Sequence, residues 1–182
     1  MNPLRSYDLA GENPRPMTID EVDGLKELVN ELPDNPIIIQ IGAERGVSTM
    51  AMLEQRPDAL ILSIDLDERP EEFNHLKQGE LPWQNVVRLL GRSQDIGVLL
   101  PTKIKCNLLF IDGDHRYEAV LADVRLWTSC VVLGGIIALH DYIPPPIPPQ
   151  IKSRVYHVVE ETLRKTHQEI MWTDRLIAFR QK

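Results

Sequence analysis

Residues 37–54, IIIQIGAERGVSTMAMLE, join an apolar run to a helix-like pattern through two glycines, Gly42 and Gly46. A short apolar run that stops at a glycine is typical of a buried strand. Glycine adopts backbone angles that other residues resist, so it permits a tight turn and a close approach of the backbone to a ligand. The stretch therefore predicts a strand, a turn at a ligand site and a helix, in that order.

The same alternation continues through the chain. Continuous apolar strands indicate burial on both faces of a parallel sheet, so the predicted fold is a doubly wound α/β domain. The predicted strands are residues 36–41, 58–66, 85–91, 106–113 and 134–142, with two short strands within residues 169–181. The predicted helices are residues 18–32, 47–56, 93–101, 116–127 and 152–166. Thr18 and Glu21 form a capping-box pattern in the first helix, and Ser93 is the predicted cap of the third.

Length and composition favour one domain, residues 1–182, with 43% hydrophobic residues. We divide it into an extension with a helix (1–35), a core (36–142), and a proline segment with a helix and hairpin (143–182). The net charge of -7 argues against nucleic-acid binding. The longest apolar stretch is too short to span a membrane. Cys106 and Cys130, without paired spacing, are expected to be buried free thiols of a cytoplasmic protein.

Polar residues follow the predicted strands where a doubly wound sheet places its ligand, at the carboxyl ends. Such a concentration of polarity is hard to explain by packing alone, so we expect a binding site at this edge. The polar groups lie at residues 40–46, at Asp65 and Asp67, at Arg92 and Ser93, at residues 112–115 and at residues 140–142.

The glycine spacing is G-x-x-x-G rather than the G-x-G-x-x-G of dinucleotide-binding proteins, and alone it is also compatible with a simple tight turn. Asp65, which ends the second strand, adds a carboxylate that can accept hydrogen bonds from both hydroxyls of a ribose. Asp67 is the alternative for this role, or it caps the helix that follows.

The segments IGAERGVST, ILSIDLDERP, LLGRSQD, LLFIDGDHRYEAVLADVRLW and LGGIIALHDY resemble class I S-adenosylmethionine-dependent methyltransferases. The specific part is the pair I-D-G-D-H and H-D-Y, found in O-methyltransferases of small hydroxylated substrates. The resemblance implies a Rossmann-like, mostly parallel seven-stranded sheet that ends in an antiparallel hairpin. It makes residues 36–142 the cofactor-binding core.

The resemblance also implies which residues hold the cofactor. The glycine loop holds its methionine part, the acid after the second strand its ribose, and the turn after the third strand its adenine. The family usually has an acid where Gln40 stands and often an aspartate where Arg92 stands, and these departures leave room for weak binding. The implied cofactor residues are Gln40, Gly42, Gly46, Ser48, Asp65, Arg92, Ser93 and Asp112.

An alcohol or phenol acceptor needs a base, or a metal that lowers its pKa. Asp114 and His140 are the candidate bases, and in metal-dependent relatives the positions of Asp112 and Asp141 bind Mg²⁺. His140 replaces one acid there, and imidazole suits Mn²⁺ better than Mg²⁺. His140 without a metal and Asp114 as a helix cap stay open, and His115 is expected to orient the site.

The sequence thus predicts a methyltransferase that uses S-adenosylmethionine, with or without Mg²⁺ or Mn²⁺, on a small hydroxylated acceptor. The proline segment, residues 143–150, is expected to border the acceptor pocket beside Tyr142, or to be a plain connector. A cofactor-binding domain without catalysis and a nicotinamide-dependent oxidoreductase are the alternatives. No membrane partner is expected, and self-association is left open.

Overall fold

The computed structural model describes residues 2–10, 17–100, 104–146 and 153–182. Their strands form one seven-stranded sheet with helices on both faces. The strands are β1 (Ile37–Ile41), β2 (Leu60–Asp65), β3 (Val86–Leu90), β4 (Cys106–Ile111), β5 (Val131–Leu139), β6 (Gln168–Thr173) and β7 (Leu176–Arg180). The α-helices are α1 (Ser6–Leu9), α2 (Ile19–Asn30), α3 (Val47–Gln55), α4 (Pro70–Gln78), α5 (Ser93–Leu99), α6 (Tyr117–Trp127), α7 (Val155–Glu161) and α8 (Leu163–Thr166). Short 3₁₀ helices lie at Trp83–Asn85 and Thr128–Cys130.

The strand order is β3-β2-β1-β4-β5-β7-β6, which confirms the predicted doubly wound sheet. Neighbouring strands from β3 to β5 are parallel, and β7 runs antiparallel to both β5 and β6. The central strand β1 places Ile39 between Leu62 of β2 and Leu109 of β4. The closing hairpin expected from the resemblance is therefore confirmed as well.

Successive residues of β1 enter two separate cores, as expected for a sheet that is covered on both faces. Ile38 packs with α2 and α3, while Ile39 packs with α6 and α7. Both isoleucines are completely buried. Cys106 and Cys130 are buried free thiols, as predicted. Among the described residues, no helix has the length and apolarity needed to cross a membrane.

The structure corrects the predicted elements in four places. Strand β5 begins at Val131, three residues before its predicted start, because Gly134 and Gly135 fit inside it. The helix predicted at 152–166 is two helices, since Thr162 leaves helical geometry at φ −122° and ψ −82°. Helix α1, which has only four residues, was not predicted. Helix α4 was expected only as an unbounded helix after Asp67, because it is mostly polar and begins with a proline, and its N-cap is Arg69 instead of Asp67.

Helix α2 begins as its sequence predicts. The Thr18 hydroxyl accepts a hydrogen bond from the Glu21 backbone N–H, and the Glu21 carboxylate accepts one from the Thr18 N–H. Both bonds satisfy backbone groups at the helix start that would otherwise have no partner. This arrangement fixes the direction of α2 and the position of Glu21.

Candidate active site

A cleft of about 920 Å³ opens at the carboxyl ends of β1 to β5, where the fold places its ligand site. Most of the residues predicted to form the site line this cleft. They are Gly42, Ser48, Asp65, Arg92, Ser93, Asp112, Asp114, His140 and Asp141. Two of the predicted residues, Gln40 and Gly46, lie behind its wall.

Both glycines of the loop after β1 have positive φ, +81° at Gly42 and +86° at Gly46, a backbone conformation that favours glycine over other residues. A Cβ on Gly42 would come within 2.1 Å of the Asp112 carbonyl oxygen, and a Cβ on Gly46 within 2.9 Å of the Glu72 Cα. The expected close approach of this loop to a ligand stays a prediction. Each glycine makes room for another part of the chain, although Gly42 also faces the cleft.

Gln40 is fully buried beneath the glycine loop instead of facing the cleft. Its amide Nε2 donates to the Ser48 hydroxyl at 2.8 Å and to the Gly42 carbonyl at 3.2 Å. These hydrogen bonds from a buried neutral amide hold the glycine loop in place without adding a charge. At this position the amide therefore has a structural use that a carboxylate, which lacks donors, does not reproduce.

The buried acid beneath the glycine loop is Glu72, on helix α4, and it was not predicted. Its Oε1 accepts hydrogen bonds from the Thr49 hydroxyl at 2.6 Å and the Ser63 hydroxyl at 3.2 Å, and its Oε2 forms an ion pair with Arg88. Glu72 is completely buried. We call this group the loop-side network; it consists of Gln40, Ser48, Thr49, Ser63, Glu72 and Arg88.

Asp65 faces the cleft, whereas Asp67 is exposed and is not part of the cleft wall. The Asp65 Oδ2 accepts hydrogen bonds from the backbone N–H groups of Ala43 at 3.0 Å and Glu44 at 2.9 Å. Burial raises the pKa of Asp65, but these backbone bonds outweigh it and leave the pKa below its ordinary value. Asp65 is therefore an ionised acceptor at neutral pH, fixed to the glycine loop.

The prediction that Ser93 caps α5 is wrong. Arg92 occupies the N-cap position, and the Ser93 hydroxyl instead donates to Asp123 Oδ1 at 2.5 Å. Gln94 Nε2 donates to the same oxygen at 2.6 Å. Asp123 lies on α6, is 2% exposed and lines the cleft. Burial raises its pKa to about 6, even though the bonds from Ser93 and Gln94 lower it.

His140 lies between two carboxylates. Its Nδ1 is 3.1 Å from Asp112 Oδ1, and its Nε2 is 3.0 Å from Glu21 Oε2. Neither contact has the alignment of a hydrogen bond, so both are charge contacts of a buried ring. Burial lowers the pKa of His140, but Asp112 and Glu21 together raise it well above its ordinary value. The ring is therefore an imidazolium at neutral pH.

Arg175, in the turn of the closing hairpin, contacts the same group and was not predicted. Its Nε lies 3.0 Å from Glu21 Oε1, and its Nη1 lies 3.0 Å from Asp141 Oδ1. Burial raises the pKa of Glu21, but His140, Thr18 and Arg175 lower it to about 2. We call this group the cleft-side network; it consists of Glu21, Asp112, His140, Asp141 and Arg175.

Within the part of the chain that the structure describes, one group converges as metal ligands do: Asp112, His115 and Asp141. One ligand atom from each lies within 4.8 Å of the other two, and His115 Nε2 is 3.2 Å from Asp141 Oδ2. His140, expected to replace an acid of the ligand set, has each ring nitrogen against a carboxylate. The histidine that converges with these two aspartates is therefore His115, which was expected only to orient the site, and the binding of an ion stays a prediction.

Asp114 lines the cleft but is held by its neighbour. Its Oδ2 accepts from Arg116 Nε at 2.8 Å, and its Oδ1 accepts from the Arg116 backbone N–H at 3.0 Å. The bonds from Arg116 lower the pKa of Asp114 below its ordinary value. Asp114 orders the turn before α6 and is not the cap, because Arg116 holds that position.

The proline segment is described only through Pro146, and residues 147–150 lie outside the described residues. The described part, residues 143–146, forms neither helix nor strand and is absent from the cleft wall. Tyr142 packs against Tyr156 and Trp172 with ring centroids 5.5 and 5.6 Å apart. Tyr142 is thus part of the packing beside the hairpin, and the border with an acceptor pocket stays a prediction.

The fold is a Rossmann-like methyltransferase fold. It combines five parallel strands, an antiparallel β5-β7-β6 arrangement at one side of the sheet, and a cleft at the carboxyl ends of the parallel strands. Similar solved structures share it at low identity. An O-methyltransferase of Bacillus cereus in complex with S-adenosylhomocysteine superposes with a TM-score of 0.71 and 12% identity, over 91% of this chain and 83% of that one. The O-methyltransferase TomG of Streptomyces achromogenes, solved with S-adenosylmethionine, gives 0.68 and 15%, over 92% and 82%.

A family model described as a methyltransferase domain matches residues 39–142, more than half of the chain. The chain belongs to this family of class I S-adenosylmethionine-dependent methyltransferases. An uncharacterised protein, R132, of Acanthamoeba polyphaga mimivirus is 28% identical over 147 residues. That match covers 75% of this chain and 66% of the viral protein, so the viral protein has a substantial part without a counterpart here.

Proposed function

We propose that the protein transfers the methyl group of S-adenosylmethionine to an oxygen atom of a small hydroxylated acceptor. One observation carries the proposal: Asp112, His115 and Asp141 converge in the same cleft as the glycine loop and Asp65. Side chains able to activate an acceptor hydroxyl thus lie in the same cleft as the residues that we expect to bind the cofactor. The O-methyltransferases among structurally similar proteins support the same choice of acceptor.

In this proposal the cofactor lies across the carboxyl ends of β1, β2 and β4. The Asp65 Oδ1, which accepts only a long 3.3 Å bond from the Asp67 N–H, binds the ribose hydroxyls. The loop around Gly42 and Ser48 borders the methionine part, and Arg92 and Ser93 border the adenine part. Methyl transfer from a sulfonium is an in-line displacement, so these contacts accelerate it chiefly by positioning the two reactants.

A divalent metal fits the three convergent side chains. Two carboxylates and an imidazole suit Mn²⁺ better than Mg²⁺, which prefers an all-oxygen set. Arg175 holds Asp141 Oδ1 and His140 lies against Asp112 Oδ1. The ion would therefore be held by Asp112 Oδ2 and by Asp141 Oδ2, which already lies 3.2 Å from the third ligand atom, His115 Nε2. Such outer contacts fix the orientation of metal ligands. A bound ion would lower the pKa of an acceptor hydroxyl.

The two residues expected to act as bases receive different parts in this proposal. His140 is an imidazolium already in contact with two carboxylates, so it orients Asp112 instead of accepting a proton. Asp114 has a lowered pKa and pairs with Arg116, which makes it a weak base. When no ion is bound, proton removal then falls to Asp112 Oδ2, because both oxygens of Asp141 have charged or ring partners, Arg175 on Oδ1 and His115 on Oδ2. The free thiols Cys106 and Cys130 support a cytoplasmic setting for the reaction.

The first test is cofactor choice, measured by calorimetry and by thermal unfolding. S-adenosylmethionine and S-adenosylhomocysteine should each raise the melting temperature, and NAD should not. A ligand at a hundred times its dissociation constant adds about 2.7 kcal/mol of stability, which is readily measured. Binding of NAD alone would favour the oxidoreductase alternative.

The second test is methyl transfer itself, followed with radiolabelled S-adenosylmethionine across catechols, phenols and sugars. Labelled product that carries the methyl group on oxygen supports the proposal. Cofactor binding with transfer to nitrogen or carbon acceptors alone would overturn the choice of oxygen while leaving the family assignment intact.

A further inference from the structure

The backbone at Asp141 adopts a conformation that costs free energy. Its φ is +56°, in the left-handed region that residues with a Cβ rarely adopt. Asp141 lines the cleft in this conformation, with its Oδ2 lying 3.2 Å from His115 Nε2. A strained conformation at a site persists only when surrounding contacts hold it, so those contacts determine where the Asp141 carboxylate lies.

Hydrogen bonds hold the chain on each side of Asp141. The backbone N–H groups of its neighbours, His140 and Tyr142, donate to carbonyls of β4 and of the hairpin turn at 3.0 and 2.9 Å. The carbonyl of Asp141 itself accepts a hydrogen bond from the Ser153 hydroxyl at 2.8 Å. The first two bonds need only backbone groups, so the bond from Ser153 is the one of these that depends on a particular side chain.

Ser153 is itself fixed in the fold. It is 9% exposed, and its hydroxyl oxygen also accepts a hydrogen bond from the Val155 N–H at 3.3 Å, which leaves the hydroxyl hydrogen for Asp141. The next residue, Arg154, donates its backbone N–H to the His115 carbonyl at 2.9 Å. Two consecutive residues before α7 thus bond the backbones of both Asp141 and His115.

We infer that Ser153 is a positioning residue of the candidate metal site. Its hydroxyl holds Asp141 in the left-handed conformation that brings the carboxylate to His115 and Asp112. Ser153 is not part of the cleft wall, so it acts on the site through Asp141. The inference rests on the proposed function, because it takes the three convergent side chains as ligands of a divalent ion.

Loss of the hydroxyl affects the site through geometry and not through charge. Without it, the Asp141 carbonyl lacks its side-chain donor, and the backbone is freer to relax toward the angles that residues with a Cβ prefer. The carboxylate then turns away from the other two ligands. Metal sites depend on the orientation of their ligands, so loss of an outer contact lowers metal affinity even when every ligand remains.

The experiment measures Mn²⁺ binding to the full chain by electron paramagnetic resonance, with no cofactor or acceptor present. Ser153→Ala should bind Mn²⁺ about fivefold more weakly, which is less than the loss expected for removal of a ligand. Ser153→Thr keeps a hydroxyl at this position and should restore the affinity. Thermal unfolding checks that each variant is folded.

Thr162→Val is the matched control on the same helix. It removes a hydroxyl that donates to the Val158 carbonyl at 2.5 Å, at the end of α7 remote from Ser153. Mn²⁺ affinity should stay unchanged in this variant. A loss as large as that in Ser153→Ala would assign the effect to a weakened helix and overturn the inference.

A double variant tests whether Ser153 acts through Asp141. When Asp141→Ala is already present, Ser153→Ala should cause no further loss of Mn²⁺ affinity, because the ligand that it orients is gone. A full additional loss there, or unchanged affinity in Ser153→Ala alone, would overturn the inference and leave the metal proposal intact. Absence of Mn²⁺ binding to the unaltered protein would overturn the metal proposal and the inference together.

Discussion

The loop-side network pairs its one carboxylate, Glu72, with one cation, Arg88, whereas the cleft-side network holds three carboxylates against two cations. The first is closed off behind the glycine loop, with Glu72 completely buried. The second opens on the cleft through Asp112 and Asp141. A buried network with equal numbers of positive and negative groups holds a loop in place. A network that has more carboxylates than cations and borders a cleft keeps carboxylate oxygens available to a ligand.

The largest effect should come from breaking the closed network. Glu72→Gln leaves the Arg88 guanidinium without its counter-ion in a buried site, and loss of one partner of a buried pair costs about 3–5 kcal/mol. Urea denaturation measures the free energy of unfolding. The double variant Glu72→Met with Arg88→Met removes both charges and should lose less. A loss below about 1 kcal/mol in Glu72→Gln would show that the network is not closed to water.

Glu21→Gln tests the open network and should have the next largest effect. Glu21 has an ordinary pKa of 4.5 that falls to about 2 in the folded chain. The stability that this carboxylate contributes is therefore present above pH 4.5 and is lost as the pH falls toward 2. Its full size is roughly 3 kcal/mol at neutral pH.

The measurement is urea denaturation of the protein and Glu21→Gln from pH 7 to pH 2.5. The difference between them should shrink as the pH falls through this window. Glu27→Gln, an exposed acid on the same helix, is the matched control and should show a small difference at every pH. A constant difference for Glu21→Gln would mean that His140 and Arg175 do not set its pKa.

Asp65→Ala separates cofactor binding from both networks. It removes a charge-assisted acceptor, so affinity for S-adenosylhomocysteine should fall by about tenfold to a hundredfold, or 1.5–3 kcal/mol. Calorimetry measures the change. Asp67→Ala is the control, because Asp67 is exposed and outside the cleft wall. Equal losses of affinity in the two variants would leave Asp65 and Asp67 as alternatives for the ribose contact.

The smallest expected effect concerns the metal. His115→Ala removes one of three convergent ligands, so Mn²⁺ should bind about tenfold more weakly, as measured by electron paramagnetic resonance. His157→Ala, an exposed histidine on α7, should leave binding unchanged. If the unaltered protein binds no Mn²⁺ at millimolar concentration, the metal proposal is wrong. The result would mean that His140 and Arg175 already neutralise the two aspartates and that the reaction uses no divalent ion.

The sequence correctly predicted the position of those site residues that lie at the end of a strand. Apolar runs located β1 to β5, and the acids at or just after the ends of these strands were expected to meet at one edge of a parallel sheet; they are Asp65, Asp112 and Asp141. No pattern shows which of two nearby side chains points inward. For this reason the sequence did not predict that His115, and not His140, converges with Asp112 and Asp141, since each histidine follows a strand and only packing orients the rings.

The missed residues share a different cause. Glu72, Asp123 and Arg175 lie on helices or in the hairpin turn, and they reach the site only because those elements pack onto the sheet. Glu21 was predicted as part of a capping box and does cap α2, yet its carboxylate also contacts His140 and Arg175. The capping box alone accounts for a glutamate at this position, so the sequence did not indicate its contacts with His140 and Arg175.

Glu21 also dictates when the site can form during folding. Bonds of the loop-side network join residues 8 to 23 positions apart, so that part of the chain can organise early from nearby segments. The bonds between Glu21 and Arg175 span 154 positions, and they require α2, β5 and the hairpin to have met. The loop-side network is therefore expected to be ordered before the cleft-side network, which is completed only with the last long-range contacts of the fold.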